Sequence, residues 1–309
     1  MTRSIFLASL PRAGSTWVQS LIAASPEVAS APERWVMLPL VEGILHGRGY
    51  ATYGQGTYRL AMEEGDPAAV QAGARAFAQA YYDSQGGGAA WFLDKTPRYS
   101  LICEQLADLM PEAKVILLFR DPVDVARSLA VTFGGRWNTL FRYEVDFVQG
   151  IAKMCALSRQ ERNNVLAIRY EDARADPEAT TRSIGQFLGL DLPPPGEAGR
   201  VKIAGALGDP RKGAASPARP LTWGERREIG RFLDRITDED LATMGYERAA
   251  LEAKLNALPA RFSWRDLPTV IVRGMYKAGM AHAIERLFRR MRNAARQPAS
   301  ANPQRFGIE

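Results

Sequence analysis

Two stretches of the chain place arginine, glycine and hydroxyls where an oxyanion could bind. Pro11-Arg12-Ala13-Gly14-Ser15-Thr16 joins an apolar run, residues 4–10, to a helical pattern that starts at Trp17. The first N–H groups of a helix attract negative charge, and glycine lets the chain approach it closely. Ser15 and Thr16 add hydroxyl donors, and Arg12 adds a fixed positive charge. The loop lacks the GxxxxGK[ST] spacing of a Walker A motif, and alone it fits a capped turn as well as an anion site. Arg120 directly follows a second apolar run, residues 114–119, and Ser128 lies eight positions further on. A helix beginning near Pro122 puts Ser128 in its second turn. From there a forked guanidinium and a hydroxyl reach one phosphate together, although taken alone the pair resembles ordinary surface residues.

The elements that must carry these stretches alternate between strand and helix patterns. Residues 4–10, 91–93, 114–119 and 165–170 are short apolar runs. The clearest is KVILLF, whose unbroken branched character suits a strand buried on both faces. Helical patterns follow Trp17, cover residues 101–110, start again near Pro122, and run from beyond Tyr170 to Phe187 with a stop at Gly189. This alternation predicts an α/β fold of three layers, a central parallel sheet flanked by helices. Ligands in such sheets lie beyond the carboxyl ends of strands, which is where Arg12, Lys95, Arg120 and Tyr170 fall.

Hydrophobic residues make up 46% of the 309 and charged residues 24%, enough for one large core or two modest ones. The net charge of +6 is unevenly placed. Residues 1–260 hold 30 Lys and Arg against 31 Asp and Glu, whereas residues 261–309 hold 10 against 3. The surplus belongs to the C-terminal tail, so no nucleic-acid partner is expected of the body. Cys103 and Cys155 form no CxxC pair and, with His46 and His282, no ligand spacing, so neither a disulfide framework nor a metal is expected. A cytoplasmic location is expected. No run approaches the ~18 apolar residues that span a bilayer, and residues 5–10 stop at Pro11-Arg12 without a signal-peptide cleavage pattern.

In combination the stretches resemble a known family. FLASLPRAGSTWVQSLIAASPEV is similar to the 5′-phosphosulfate-binding loop of sulfotransferases that use 3′-phosphoadenosine 5′-phosphosulfate (PAPS). VILLFRDPVDVARSL resembles their 3′-phosphate-binding strand–turn–helix, while LDKTPRY and AIRYEDARADPEATTRSIGQFLGL resemble two further blocks in the family's order. The blocks cover roughly residues 4–190, in an arrangement nearest to bacterial sulfotransferases related to the tyrosylprotein and carbohydrate branches. The resemblance implies a P-loop-like sulfotransferase fold, PAPS as cosubstrate, adenosine 3′,5′-bisphosphate (PAP) as product, and no metal.

It also implies roles. Arg12 corresponds to the basic residue that bridges the 5′-phosphate and the sulfuryl group. Gly14, Ser15 and Thr16 correspond to the phosphate cradle, with Ala13 and Trp17 flanking members of the same cofactor-binding loop. Arg120 and Ser128 correspond to the 3′-phosphate pair, Tyr170 to a tyrosine near the adenine, and Lys95 to a lysine at the reacting centre. Ala13 stands where the family usually has serine, and Pro97 where the small-molecule branch has its catalytic histidine. Glu33, in APERW and 21 residues past Arg12, corresponds to the catalytic glutamate of the tyrosylprotein branch and is the expected proton acceptor, with Asp94 in reserve. Arg211-Lys212-Gly213 resembles the RKG of a late cosubstrate-clamping loop, in a Gly/Pro-rich stretch that suits a lid. The implied chemistry is in-line transfer, with Arg12 and Lys95 facing the charge that develops on the leaving oxygen.

On this reading residues 1–260 form the sulfotransferase domain, with acceptor-side insertions at about 34–90 and 131–150. Aromatics there, such as Trp35, Tyr50, Trp137, Phe141 and Tyr143, favour a glycan or glycolipid acceptor over the alternatives, a protein tyrosine or a small phenol. A P-loop nucleotide or sugar kinase would share the fold, but its Walker lysine and Mg²⁺ carboxylate are not found. Residues 261–309 form a tail. Residues 269–292 pattern as an amphipathic helix with Arg286, Arg289 and Arg290 opposite the apolar face. That suits peripheral contact with the inner membrane face, packing on the body, or a homodimer. The last dozen residues have a disordered composition.

Overall fold

Strands β1 (Arg3–Ser9), β2 (Val28–Ala31), β3 (Trp91–Asp94), β4 (Lys114–Phe119) and β5 (Val165–Arg169) pair in parallel in the order β2-β3-β1-β4-β5. This is a computed structural model that describes residues 1–31, 33–45, 65–133, 140–198 and 219–266. Ile5 to Ala8 of β1 and Val115 to Leu118 of β4 are fully buried. Their unbroken apolar runs are what a central strand covered on both faces requires. Two helix groups flank the sheet. Helix α1 (Ser15–Ile22) packs on a helix at Pro177–Leu188, while α2 (Pro67–Gly86), α3 (Cys103–Leu109) and a helix at Ile151–Ser158 pack on one another in succession. The expected three-layer α/β architecture is therefore present.

Differences from the sequence pattern have local causes. Strand β2 (Val-Ala-Ser-Ala) shows no apolar run. It is an edge strand made by its register with β3, from Val28 opposite Trp91 to Ala31 opposite Asp94. The span 34–90, expected as an acceptor-side excursion, contains α2, which Asp66 caps by accepting from the Ala68 N–H at 2.9 Å. Gly87, with φ 57°, closes that helix. The helix expected to run from Tyr170 to Phe187 is two, Tyr170–Ala175 and Pro177–Leu188. Pro177 has no N–H to continue the first, and Asp176 caps the second through the Ala179 N–H.

Helix α4 (Pro122–Phe133) follows β4. Asp121 caps it through the Val123 and Asp124 N–H groups, and Lys254 reaches both Asp121 at 2.7 Å and Asp124 at 2.8 Å. That ties the helix Arg248–Ala257 to the turn after β4. A short parallel pair joins Leu221–Thr222 to Ala260–Arg261, and Asp266 accepts from the Thr222 hydroxyl and the Gly224 N–H. Most of the tail, the RKG stretch at 211–213 and Tyr50, Tyr53, Tyr58 and Trp137 lie outside the described residues. No helix among the described residues is long and apolar enough to cross a membrane.

The connection from β1 leads out to β2 at one edge, and that from β4 leads to β5 at the other. The strand order thus reverses between the parallel neighbours β1 and β4, opening a crevice above their carboxyl ends.

Candidate active site

Five chemistry-bearing segments emerge along that one edge: Arg12 after β1, Glu33 after β2, Lys95 after β3, Arg120 after β4 and Tyr170 after β5. The β1 loop is tightened by the Ala13 N–H bond to the Leu10 carbonyl at 3.1 Å. Arg12 and Gly14 both adopt left-handed backbone conformations, φ 71° and 96°. The Ala13 methyl group packs into the core, so this residue offers only its backbone to a ligand. Gly14 caps α1 without a side-chain capping bond, and no acidic residue occupies the first turn. The N–H groups and positive dipole end of α1 are left for an external anion.

The cations converge on this loop. Arg12 Nε donates to Ser128 Oγ at 3.2 Å, and Arg120 Nη1 donates to the Arg12 carbonyl at 3.0 Å. Among the described residues neither guanidinium has a carboxylate partner, and Arg120 Nε is buried without an acceptor. Burial and the neighbouring Arg120 charge hold the Arg12 guanidinium below its usual range. Two desolvated like charges repel until an anion lies between them. The Arg120 guanidinium sits 4.4 Å over the Tyr170 ring, which meets Trp17 edge to face at 6.1 Å. Arg174 lies 5.0 Å over the Trp17 ring. This aromatic wall beside the anion pocket has the make-up to flank a flat base. Arg174 escaped the sequence reading, although its place one helical turn after Tyr170 puts it on the same face.

Gly14 is the tightest point of this wall. A Cβ there would lie 2.3 Å from Tyr170 Cε2. We expect Gly14→Ala to displace Tyr170 and to lower the stability of the protein by at least about 1–2 kcal/mol, the cost of a left-handed alanine. Urea unfolding of the two proteins checks this, and unchanged stability would contradict the packing.

On the β3 side, Lys95 Nζ binds Glu33 Oε1 at 2.9 Å across 62 residues of sequence. The lysine side chain is 3% exposed and that of the glutamate 18%. The carboxylate therefore opens outward while its partner is sealed behind it. Asp94, the reserve proton acceptor, is placed differently. It is buried, and its oxygens accept from the hydroxyls of Tyr82, Tyr99 and Thr96 at 2.8, 2.8 and 2.9 Å. No acceptor hydroxyl can reach it in this state. Lys95 pairs with Glu33 rather than with adjacent Asp94. Of the expected aromatics, Trp35 is exposed two residues from Glu33, Tyr143 is half-buried and stacks on exposed Phe133, and Phe141 belongs to the interior. Among the described residues no cluster of His, Cys, Asp or Glu could hold a metal ion.

Comparison with known proteins is consistent with this arrangement. A model described as the sulfotransferase family matches residues 4–194, more than half of the chain. The nodulation protein NoeE of Sinorhizobium fredii is 36% identical over 136 residues, covering 42% of this chain and 31% of that protein. Protein-tyrosine sulfotransferase A of Caenorhabditis elegans is 26% identical over 204 residues, covering 61% of this chain and 50% of its own. The matches thus span half or less of these relatives' lengths. Among solved structures, the sulfotransferase domain of the Synechococcus PCC 7002 olefin synthase shares the fold, with TM-score 0.50, 22% identity, and coverage of 80% of this chain and 96% of that domain.

Proposed function

This chain belongs to the sulfotransferase family, and from that premise we propose that it transfers the sulfuryl group of PAPS to a hydroxyl of a glycan or glycolipid. The observation that carries the reading is the junction on one sheet edge of two arginines, without a carboxylate partner among the described residues, with a lysine–glutamate pair that opens outward. The pocket at β1 and β4 fits the cosubstrate: a glycine cradle, an orphaned buried Arg120 Nε, and a rigid aromatic wall. Ser15 and Thr16, with the α1 N–H groups, would hold the 5′ end, Arg120 and Ser128 the 3′-phosphate, and Trp17 and Tyr170 the adenine. Bound PAPS supplies the activated sulfuryl group. Arg12 and Lys95 place positive charge where negative charge grows, a preorganised arrangement that favours the transition state over the ground state. Glu33 takes the proton of the acceptor hydroxyl, and the 2.9 Å bond from Lys95 keeps its carboxylate aimed. RKG, at 211–213, would supply further cosubstrate contacts.

Trp35, 42% exposed and two residues from Glu33, favours a sugar ring as acceptor, since an exposed indole can stack on one. The likeness to a protein-tyrosine sulfotransferase supports a tyrosine acceptor as the second reading. A cytoplasmic setting suits the two free, buried cysteines, whose thiols burial pushes up to about 12.

Thermal unfolding with and without PAP tests the reading. A ligand at 100 times its Kd stabilises by about 2.7 kcal/mol, so PAP without magnesium is expected to raise the melting temperature by several degrees. A preference for Mg-ATP would overturn the assignment. Radiolabelled PAPS added to a lysate of the source cell is expected to label the glycan or lipid fraction. Label confined to protein tyrosine would favour the second reading.

A further inference from the structure

Residues 33–35 belong to no helix or strand, yet this segment must hold Glu33 against Lys95. The Trp35 N–H donates to Thr96 Oγ1 at 3.4 Å, and the Met37 N–H to the Tyr99 hydroxyl oxygen at 3.3 Å. A hydroxyl has one proton, so Thr96 and Tyr99, having accepted from the backbone, donate to Asp94 at 2.9 and 2.8 Å. Two N–H groups of the segment therefore end on one carboxylate, each through one hydroxyl. Trp35 is held at φ 58°, a left-handed conformation that persists only where its surroundings over-determine it.

Asp94 is otherwise hard to account for. It is buried without a cationic partner among the described residues. Burial pushes its carboxyl up, and the donors around it oppose that shift. It is also the last residue of β3, and Lys95 is the next, so one strand end locates both members of the reacting pair.

We propose that Asp94 is the positioning residue for the proton acceptor: through Thr96 and Tyr99 its carboxylate fixes residues 35–37, and thereby sets Glu33 against Lys95. The inference rests on Glu33 being the base. Asp94 touches neither cosubstrate nor acceptor, so its loss reduces turnover without affecting PAP.

The same carboxylate provides its own control. Tyr82, on α2, also donates to Asp94 Oδ2 at 2.8 Å and is as deeply buried as Tyr99. Among the described residues it bonds no N–H of the 33–37 segment. Tyr99→Phe and Tyr82→Phe each delete one buried hydroxyl from Asp94, but only the first cuts a tether to the segment. Asp94→Asn turns an N–H₂ group toward at least one donor and cuts more. Each variant is compared with wild type for PAP affinity by calorimetry and for turnover of radiolabelled PAPS into a lipid extract of the source cell. Misplacement of a reacting group by about 1 Å can cost on the order of 10² in rate. The expected losses in kcat are therefore about 10²-fold for Asp94→Asn and about tenfold for Tyr99→Phe. Tyr82→Phe should stay within about twofold, and all three should keep wild-type PAP affinity. Equal losses in the two tyrosine variants, or parallel loss of PAP binding and turnover, would mean that Asp94 is only structural. If Asp94→Asn does not fold, the tyrosine pair still decides. A parallel Glu33→Gln sample separates the two ideas. Full activity there removes the base assignment, whereas lost activity there with an unaffected Tyr99→Phe removes only the positioning role.

Discussion

Glu33→Gln is expected to lower the rate of sulfuryl transfer by about 10²–10⁴-fold, the range that a positioned general base contributes. The amide keeps the size of the side chain and can still accept from Lys95 through its carbonyl, so the 2.9 Å contact has a neutral replacement. What disappears is the ability to take a proton. The effect should fall on kcat, with PAP affinity unchanged, because Glu33 sits after β2 while the anion pocket sits at β1 and β4. Rates with radiolabelled PAPS and calorimetry with PAP separate these quantities. A variant that turns over normally would show that the acceptor loses its proton elsewhere. Asp94 is not available for this in the observed state, since its oxygens are already occupied by hydroxyl donors.

Arg12→Met should be nearly as severe, costing on the order of 10²–10³ in kcat, by analogy with removal of a single oxyanion donor. Its side chain bonds Ser128, its carbonyl accepts from Arg120, and its charge lies close enough to that of Arg120 to be disfavoured before an anion arrives. Methionine preserves most of the aliphatic volume and the Arg120-accepting carbonyl, so the pocket keeps its shape. Arg120→Met makes the contrast. Arg120 lies between the loop carbonyl and the Tyr170 ring, away from the Lys95–Glu33 side. Its loss should appear mainly as weaker cosubstrate binding, roughly 10–10²-fold for a charged hydrogen bond of ~1.5–3 kcal/mol, with kcat reduced less. If both substitutions raise KM alike and leave kcat intact, Arg12 only binds and the charge argument for catalysis fails.

The strand–loop–helix frame of the proposed anion pocket is legible in the sequence because its parts are local. A strand, a tight loop and a helix start are encoded within about a dozen consecutive residues, and the dipole and free N–H groups follow from that succession. Strands β1 and β4 were equally plain, as central strands must be apolar on both faces. Edge strand β2 was not, because four small residues carry no pattern and only pairing with β3 defines them. The helix break at Asp176–Pro177 was readable in principle from the proline. The Arg174 contact with Trp17 had a helical-spacing signal but no marker of purpose.

The reacting pair divides differently. That Lys95 and Glu33 take part in the reaction is an expectation from resemblance to a family. That they touch follows only from parallel strands β2 and β3 lying side by side, which brings residues 62 apart to 2.9 Å. Asp94 shows the limit most clearly. As a residue type beside a lysine it reads as an ion partner or a spare base, and its neighbours Tyr82 and Tyr99 read as core aromatics. Its proposed role in tethering the Glu33 segment depends on two hydroxyl geometries, those of Thr96 and Tyr99, and on the N–H directions of Trp35 and Met37. Residue order specifies the charges, the hydroxyls and the periodicities, since these are properties of types and short spacings. Which carboxylate faces the solvent and which is enclosed by donors is a matter of long-range packing, and on that difference rests the proposed division between a proton acceptor and the group that holds it in place.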